Sequence, residues 1–145
     1  GYHMTAPDPE RAGARKAMQA ALKDGGLGTD QVDYINAHGT STPLNDMAEA
    51  RAMEKVFGIP GPLVTSTKGI TGHALGAAGA LEAVALALSL HKALIPPTAG
   101  YTTPDPEMPP VNLVTGDATP WEPAPALSNS FGFGGHNGTI VMGPA

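Results

Sequence analysis

Val32-Asp33-Tyr34-Ile35-Asn36, running on through Ala37-His38-Gly39 into Thr40-Ser41-Thr42-Pro43, is the stretch on which the fold turns. The first five residues are β-prone. The loop after them ends in threonine before proline, the pairing found where a residue caps a helix and proline fills its first turn. A strand therefore delivers a histidine-bearing loop to a helix that carries Leu44, Met47, Ala48, Met53, Val56 and Phe57 at core spacing and stops at Gly58. The arrangement recurs downstream. Leu63 to Ser66 reads as a second short strand, Thr67-Lys68-Gly69 leaves it, and Thr71-Gly72-His73 opens a long apolar helix to about Ala93. Two strand–loop–helix units in succession predict an α/β architecture.

Upstream, Asp8-Pro9 reads as an N-cap followed by proline at the first helical position. Ala14, Ala17, Met18, Ala21 and Leu22 give that helix an apolar face until Gly25-Gly26 stops it. Downstream of Pro96-Pro97 the chain becomes Pro-rich, through Pro104, Pro106, Pro109 and Pro110, which predicts a wandering surface connection. Val111 to Thr115, Ala126 to Ser130 and Gly138 to Met142 are three further strand candidates. The last two flank Phe131-Gly132-Phe133-Gly134-Gly135-His136-Asn137 and read as a late antiparallel addition.

The 145 residues suit one domain, and a hydrophobic fraction of 41% without repeats opposes disorder despite 19 Gly and 15 Pro. A formal charge of -5 gives no basic face for nucleic acid. The absence of cysteine excludes a disulfide framework, a thiolate metal site and a cysteine nucleophile within these residues. Gly1 to Arg15 shows no secretory signal, so the expected compartment is the cytoplasm. Ala74 to Leu90 is the most membrane-like stretch, but Gly76, Gly79 and a central Glu82 interrupt it. An acid at mid-bilayer costs roughly 2.5–3.5 kcal/mol. The expectation is a helix buried inside a soluble protein and no membrane contact.

Ligands in open α/β sheets bind beyond the carboxyl ends of strands, and His38, Lys68 with His73, and the Phe131 to Asn137 loop all follow predicted strands. His73 precedes a long helix, whose positive end would hold its ring neutral as a hydrogen-bond donor suited to polarising a carbonyl; a plain N-cap contact is the alternative. His91, in a helix's last turn, suits the dipole there, and neither it nor His3 is assigned a function. His38, His73 and His136 together could be read as zinc ligands, but no metal-binding spacing is present and none is assigned. The run from Thr71 to Gly79 matches neither phosphate-binding fingerprint, so its small residues are read as permitting close helix packing. The Phe131 to Gly135 peptide N–H groups could form part of an oxyanion hole, or the segment could be a tight hairpin with a buried Phe.

Three of these segments together resemble one family. They are Asn36-Ala37-His38-Gly39-Thr40-Ser41-Thr42-Pro43, Ser66-Thr67-Lys68-Gly69-Ile70-Thr71-Gly72-His73 with Gly76-Ala77-Ala78-Gly79, and Asn129-Ser130-Phe131-Gly132-Phe133-Gly134-Gly135. In that order they resemble the elongating, type II-like β-ketoacyl-acyl-carrier-protein synthases, as does the opening Tyr2-His3-Met4-Thr5-Ala6-Pro7. The resemblance implies the C-terminal half of a thiolase-like fold, a mixed sheet covered by helices, spanning residues 1–145. The catalytic cysteine of such enzymes belongs to an N-terminal half, which is missing here. Asn45 stands where relatives usually have glycine, Gly69 where serine or alanine is common, and His136 where threonine is frequent; none removes a catalytic group. Thiolases would supply a second active cysteine from this half, initiating synthases pair one histidine with asparagine, and chain-length-factor subunits usually lose the histidines.

The implied reaction is a decarboxylative Claisen condensation in fatty-acid or polyketide elongation. A cysteine thiolate carries the acyl group, and malonyl thioester loses carbon dioxide to give the attacking enolate. By resemblance His38 and His73 donate hydrogen bonds to the thioester oxygen as charge develops. Lys68 would orient or tune them with Glu82 as its partner, since a charge in an apolar helix should be paired. The Phe133 amide would complete the oxyanion hole of the acyl thioester and its ring gate the acyl pocket. Thr40 and Thr42 match positions that hold the pantetheine arm. No cofactor is implied. The implied partners are acyl carrier protein, the missing N-terminal half and a second copy in a homodimer. The rival reading is a non-catalytic scaffold or dimerisation fragment of the same fold.

Overall fold

The structure is a computed structural model that describes residues 12–144. The expected helix start at Asp8-Pro9 and the Tyr2 to Pro7 segment lie outside the described residues. Five strands form the main sheet in the order β4 (Asn112–Leu113), β2 (Leu63–Thr65), β1 (Tyr34–Asn36), β6 (Ala126–Phe131), β7 (Asn137–Met142). β1 is central and parallel to β2 and β6, β4 runs parallel to β2, and β7 returns antiparallel along β6. The sheet is therefore mixed, with the antiparallel addition late in the chain, and β1 is buried on both faces as central parallel strands are.

Side chains alternate across β1 and so seed two cores. Ile35 packs with Val64 and Leu127 under Met18 and Leu22 of α1 (Ala12–Asp24) and Ala52 and Met53 of α2 (Pro43–Phe57). Tyr34 faces the other way, with Ala126, Val114, Ile95 and Leu86 of α4 (Ala78–Lys92), and Trp121 meets its ring edge-on at 5.7 Å. Helices thus cover both faces of the sheet. A second, two-stranded sheet, β3 (Leu94–Ile95) with β5 (Thr119–Pro120), is too short for periodicity to register. The Pro-rich connection carries only the two-residue β4 and is largely exposed, as expected.

Two helices differ from expectation. In α2, Leu44 is 67% exposed, while Ala48, Glu49, Ala50, Ala52 and Met53 are buried. Thr42 stands at the N-cap and Pro43 opens the helix, but the Thr42 hydroxyl makes no capping bond. It pairs instead with that of Thr40, at 2.9 Å.

The helix expected from Gly72-His73 starts later, and the segment before it is itself partly helical. A short α3 (Lys68–Thr71) ends at Gly72, whose φ of 67° is left-handed, a 3₁₀ turn occupies Leu75–Ala77, and α4 begins only at Ala78. Nor is α4 buried all round. It turns Glu82, Leu86 and Ser89 to the sheet and leaves Leu81, Val84 and Leu88 exposed by about half. Leu75–Lys92 is long and apolar enough to cross a membrane by length and composition.

Candidate functional site

Asn36 lies in register with Thr65 on one side and Ser128 on the other, so the chain leaves β1, β2 and β6 at one level of the sheet. The loop after β1 carries His38, the segment after β2 carries Ser66 and Lys68, and β6 leads into the glycine-rich hairpin. These segments border a cavity of about 1190 Å³ that His38, His73, Thr40, Thr42 and Phe133 all line, with His136 at the hairpin.

The His38 and His73 rings meet edge to face with centroids 5.5 Å apart, and Phe131 lies 5.8 Å from His38. Lys68 is buried and joined to Glu82 of α4 in an ion pair whose side chains are 5% and 2% exposed. A lysine amine has three N–H donors and no acceptor when charged. Those of Lys68 face Glu82 Oε1, the His38 carbonyl and His38 Nδ1, the last at 3.4 Å. His38 Nδ1 is therefore the acceptor, and the ring proton sits on Nε2. Burial first, then the charges of Lys68 and His73, lower the His38 pKa to about 4, so its ring is neutral at neutral pH.

His73 reaches the same tautomer by another route. The Leu75 amide donates to His73 Nδ1 at 3.1 Å, again leaving Nε2–H as the donor. The N-terminus of α4 does not hold this ring, because Ala74 and the 3₁₀ turn Leu75–Ala77 separate the two.

The Phe131 to Asn137 segment is a tight hairpin: the Gly132 amide donates to the His136 carbonyl at 2.8 Å, and Gly134 and Gly135 have φ of 72° and 81°. Phe133 is not its buried residue, being 72% exposed on the cavity wall. Of the glycines between Thr71 and Gly79 only Gly79 serves close packing, since a Cβ there would stand 3.1 Å from Ser130 Oγ, whereas one on Gly72 or Gly76 would meet nothing within 4 Å. Among the described residues no cluster of three His, Cys, Asp or Glu side chains could hold a metal ion.

One residue of this neighbourhood was missed in the sequence. Glu49 is 2% exposed, and its carboxylate accepts from the amides of His38 and Gly39, both at 2.9 Å, and from Asn129 Nδ2 at 3.1 Å. Burial raises its pKa despite these three donors. The signal was legible, because Glu49 shares the helical spacing of Ala52, Met53 and Val56 and so lies on the apolar face.

Comparison with known proteins gives one family throughout. The family model described as "Beta-ketoacyl synthase, C-terminal domain" matches residues 1–102. The chain is 47% identical over 143 residues to 3-oxoacyl-[acyl-carrier-protein] synthase 2 of Staphylococcus aureus, covering 97% of this chain and 35% of that protein. A β-ketoacyl synthase from Burkholderia phymatum superposes with a TM-score of 0.95 at 36% identity, over 100% of this chain and 35% of that one. A type II polyketide ketosynthase, solved with its acyl-carrier protein and bound to the hexaketide, gives 0.94 at 37% identity, over 100% and 36%. The chain thus spans about a third of the length of these relatives, and its mixed α/β sheet is that of the thiolase-like condensing enzymes. With sequence, topology and fold in agreement, it belongs to the β-ketoacyl synthase family and corresponds to the C-terminal domain.

Proposed function

We propose that these residues supply the His38, His73 and Lys68 part of the active site of a 3-oxoacyl-acyl-carrier-protein synthase, which joins an acyl thioester to malonyl-acyl-carrier protein. The observation that carries this reading is the matched pair of imidazoles. Both rings line one cavity, and both have Nδ1 occupied as acceptor, so each offers Nε2–H. When the malonyl carbon–carbon bond breaks, carbon dioxide leaves and the electron pair passes through the enolate to the thioester oxygen. Donors fixed beforehand stabilise that charge selectively, each by roughly 2.7–4 kcal/mol if it acts like a single oxyanion-hole donor. The enolate carbon then attacks the acyl carbonyl and expels the thiolate that held it.

Lys68, with its counter-ion Glu82, is the positioning residue for His38. The Phe133 amide stabilises the oxyanion of the acyl thioester, and Thr40 and Thr42 hold the pantetheine arm. The nucleophilic cysteine, absent from the 145 residues, comes from a segment outside them and forms the other part of the site. The reading extends to cytoplasmic fatty-acid or polyketide elongation by a homodimer. With a net charge of -5 on this chain, the basic patch that docks an acidic carrier protein lies mostly elsewhere.

The test separates the half-reactions in the full-length synthase. Replacing His38 or His73 by alanine should lower carbon dioxide release from malonyl thioester by roughly 10²–10³-fold. Transfer of a radiolabelled acyl group to the cysteine should suffer far less. Loss of loading with decarboxylation intact would invert the roles given to the histidines. Ketoacyl product from the verified 145-residue chain alone would overturn the assignment of the nucleophile.

A further inference from the structure

The backbone of His38 and Gly39 is held at every polar group. Glu49 accepts both amides, Lys68 donates to the His38 carbonyl, and Ser66 Oγ donates to the Gly39 carbonyl at 2.8 Å. The two carbonyl partners come from the segment after β2, whereas Glu49 belongs to α2 and binds Asn129 of β6 with the oxygen that holds the His38 amide. Two buried charges of opposite sign thus grip one residue through its main chain, while its imidazole, with Nδ1 toward Lys68, lines the cavity.

We infer that Glu49 is a positioning residue for His38, acting as an ionised clamp that sets where the imidazole stands. The chemistry requires the carboxylate. Three N–H groups converge on its two oxygens, so an amide would turn a donor toward a donor and a carboxylic acid would accept them more weakly. The charged group that faces it is the Asp46 carboxylate one turn earlier on α2; the amides of His38 and Gly39 and Asn129 of β6 meet it as neutral donors. Release of the amides would let the loop shift, and a misplacement of about 1 Å is enough to lower a rate roughly 100-fold. The catalytic part of this inference rests on the reading in the preceding section; the clamp itself does not.

The experiment uses the full-length synthase as wild type, Glu49→Gln and Glu49→Asp, with the His38 and Gly39 amides followed by NMR and decarboxylation assayed with malonyl-acyl-carrier protein. In Glu49→Gln both amide protons should move upfield, and kcat for carbon dioxide release should fall about 100-fold with KM nearly unchanged. Glu49→Asp keeps the charge and should recover part of kcat; if Glu49→Gln does not fold, Glu49→Asp carries the test through the same amide shifts. Unmoved amides in a folded variant overturn the clamp, as does an undiminished kcat once the amides have moved. A loss seen only in KM assigns Glu49 to substrate binding and also overturns it. A wild-type enzyme that releases no carbon dioxide defeats the functional reading, and the amide shifts still decide the clamp.

Discussion

Replacing Lys68 by methionine tests the electrostatic centre of this domain most directly. The substitution keeps an unbranched chain but removes all three donors, stranding Glu82 Oε1, the His38 carbonyl and His38 Nδ1. With side-chain exposures of 5% and 2%, water screens the pair little, and removal of one partner of such a pair costs about 3–5 kcal/mol. A whole domain has only about 5–15 kcal/mol. At a urea m-value of about 1–3 kcal/mol/M, the midpoint should fall by about 1 M or more. Glu82→Leu strands one donor instead of three acceptors and should cost less. The double variant should recover much of the loss, because no unpaired charge remains beneath α4. Urea unfolding of the four proteins, followed by circular dichroism, supplies the cycle. Single-variant costs below about 1 kcal/mol, or strictly additive effects, would show that the pair is screened and that the reasoning fails.

His38 gives a pH dependence whose sign is fixed. Its folded pKa of about 4 lies below the ordinary value of 6.5, so between them the unfolded chain binds the proton and the folded one does not. That contribution to stability is fully present above about 6.5 and is lost as pH falls toward 4. NMR titration of the His38 ring gives the folded value, and in Lys68→Met it should rise but stay below 6.5, because burial is the larger cause. Gly39→Ala should lower the thermal midpoint, at a cost of about 1–3 kcal/mol, since φ is 38° and the new Cβ would lie 2.6 Å from Ser66 Cβ; an unchanged midpoint would mean the loop relaxes freely. The 145-residue chain by itself should self-associate through the exposed Leu81, Val84 and Leu88, and Leu81→Gln with Leu88→Gln should lower its apparent mass in light scattering. A monodisperse monomer with a sharp, high-temperature melt would contradict this.

The parts of the fold legible in the sequence were those with a local signature. Proline after threonine marked the start of α2, alternation and glycine punctuation gave β6 and β7, and His38, Lys68 and His73 could be referred to loops following strands. Tertiary decisions were not legible. Leu44 has the spacing of a core residue yet faces the cavity, because the sheet lies against the side of α2 that carries Ala48, Ala52 and Met53. The late start of α4 was concealed because Ala74, Leu75 and Ala77 continue its apolar pattern although Leu75–Ala77 form a 3₁₀ turn, and β3 and β5 exist only through pairing with each other. For His73 a helix dipole was expected where a single peptide N–H, that of Leu75, fixes the tautomer. Glu49 shows the reverse failure: its position in the pattern was plain, but the importance of a lone acid on an apolar face depends on which amides it meets.

The orientation of α4 inverts the usual vocabulary of substitution for a helix on a sheet. A scan of amino-acid replacements over the described residues should find its strictest position at an acid, Glu82, and a tolerant row at leucine and valine, the opposite of what a hydropathy profile would rank. A difference between that scan and one on the full-length protein would then be a map: each apolar position of α4 that is permissive in one background and restricted in the other marks a place where the rest of the enzyme leans on it.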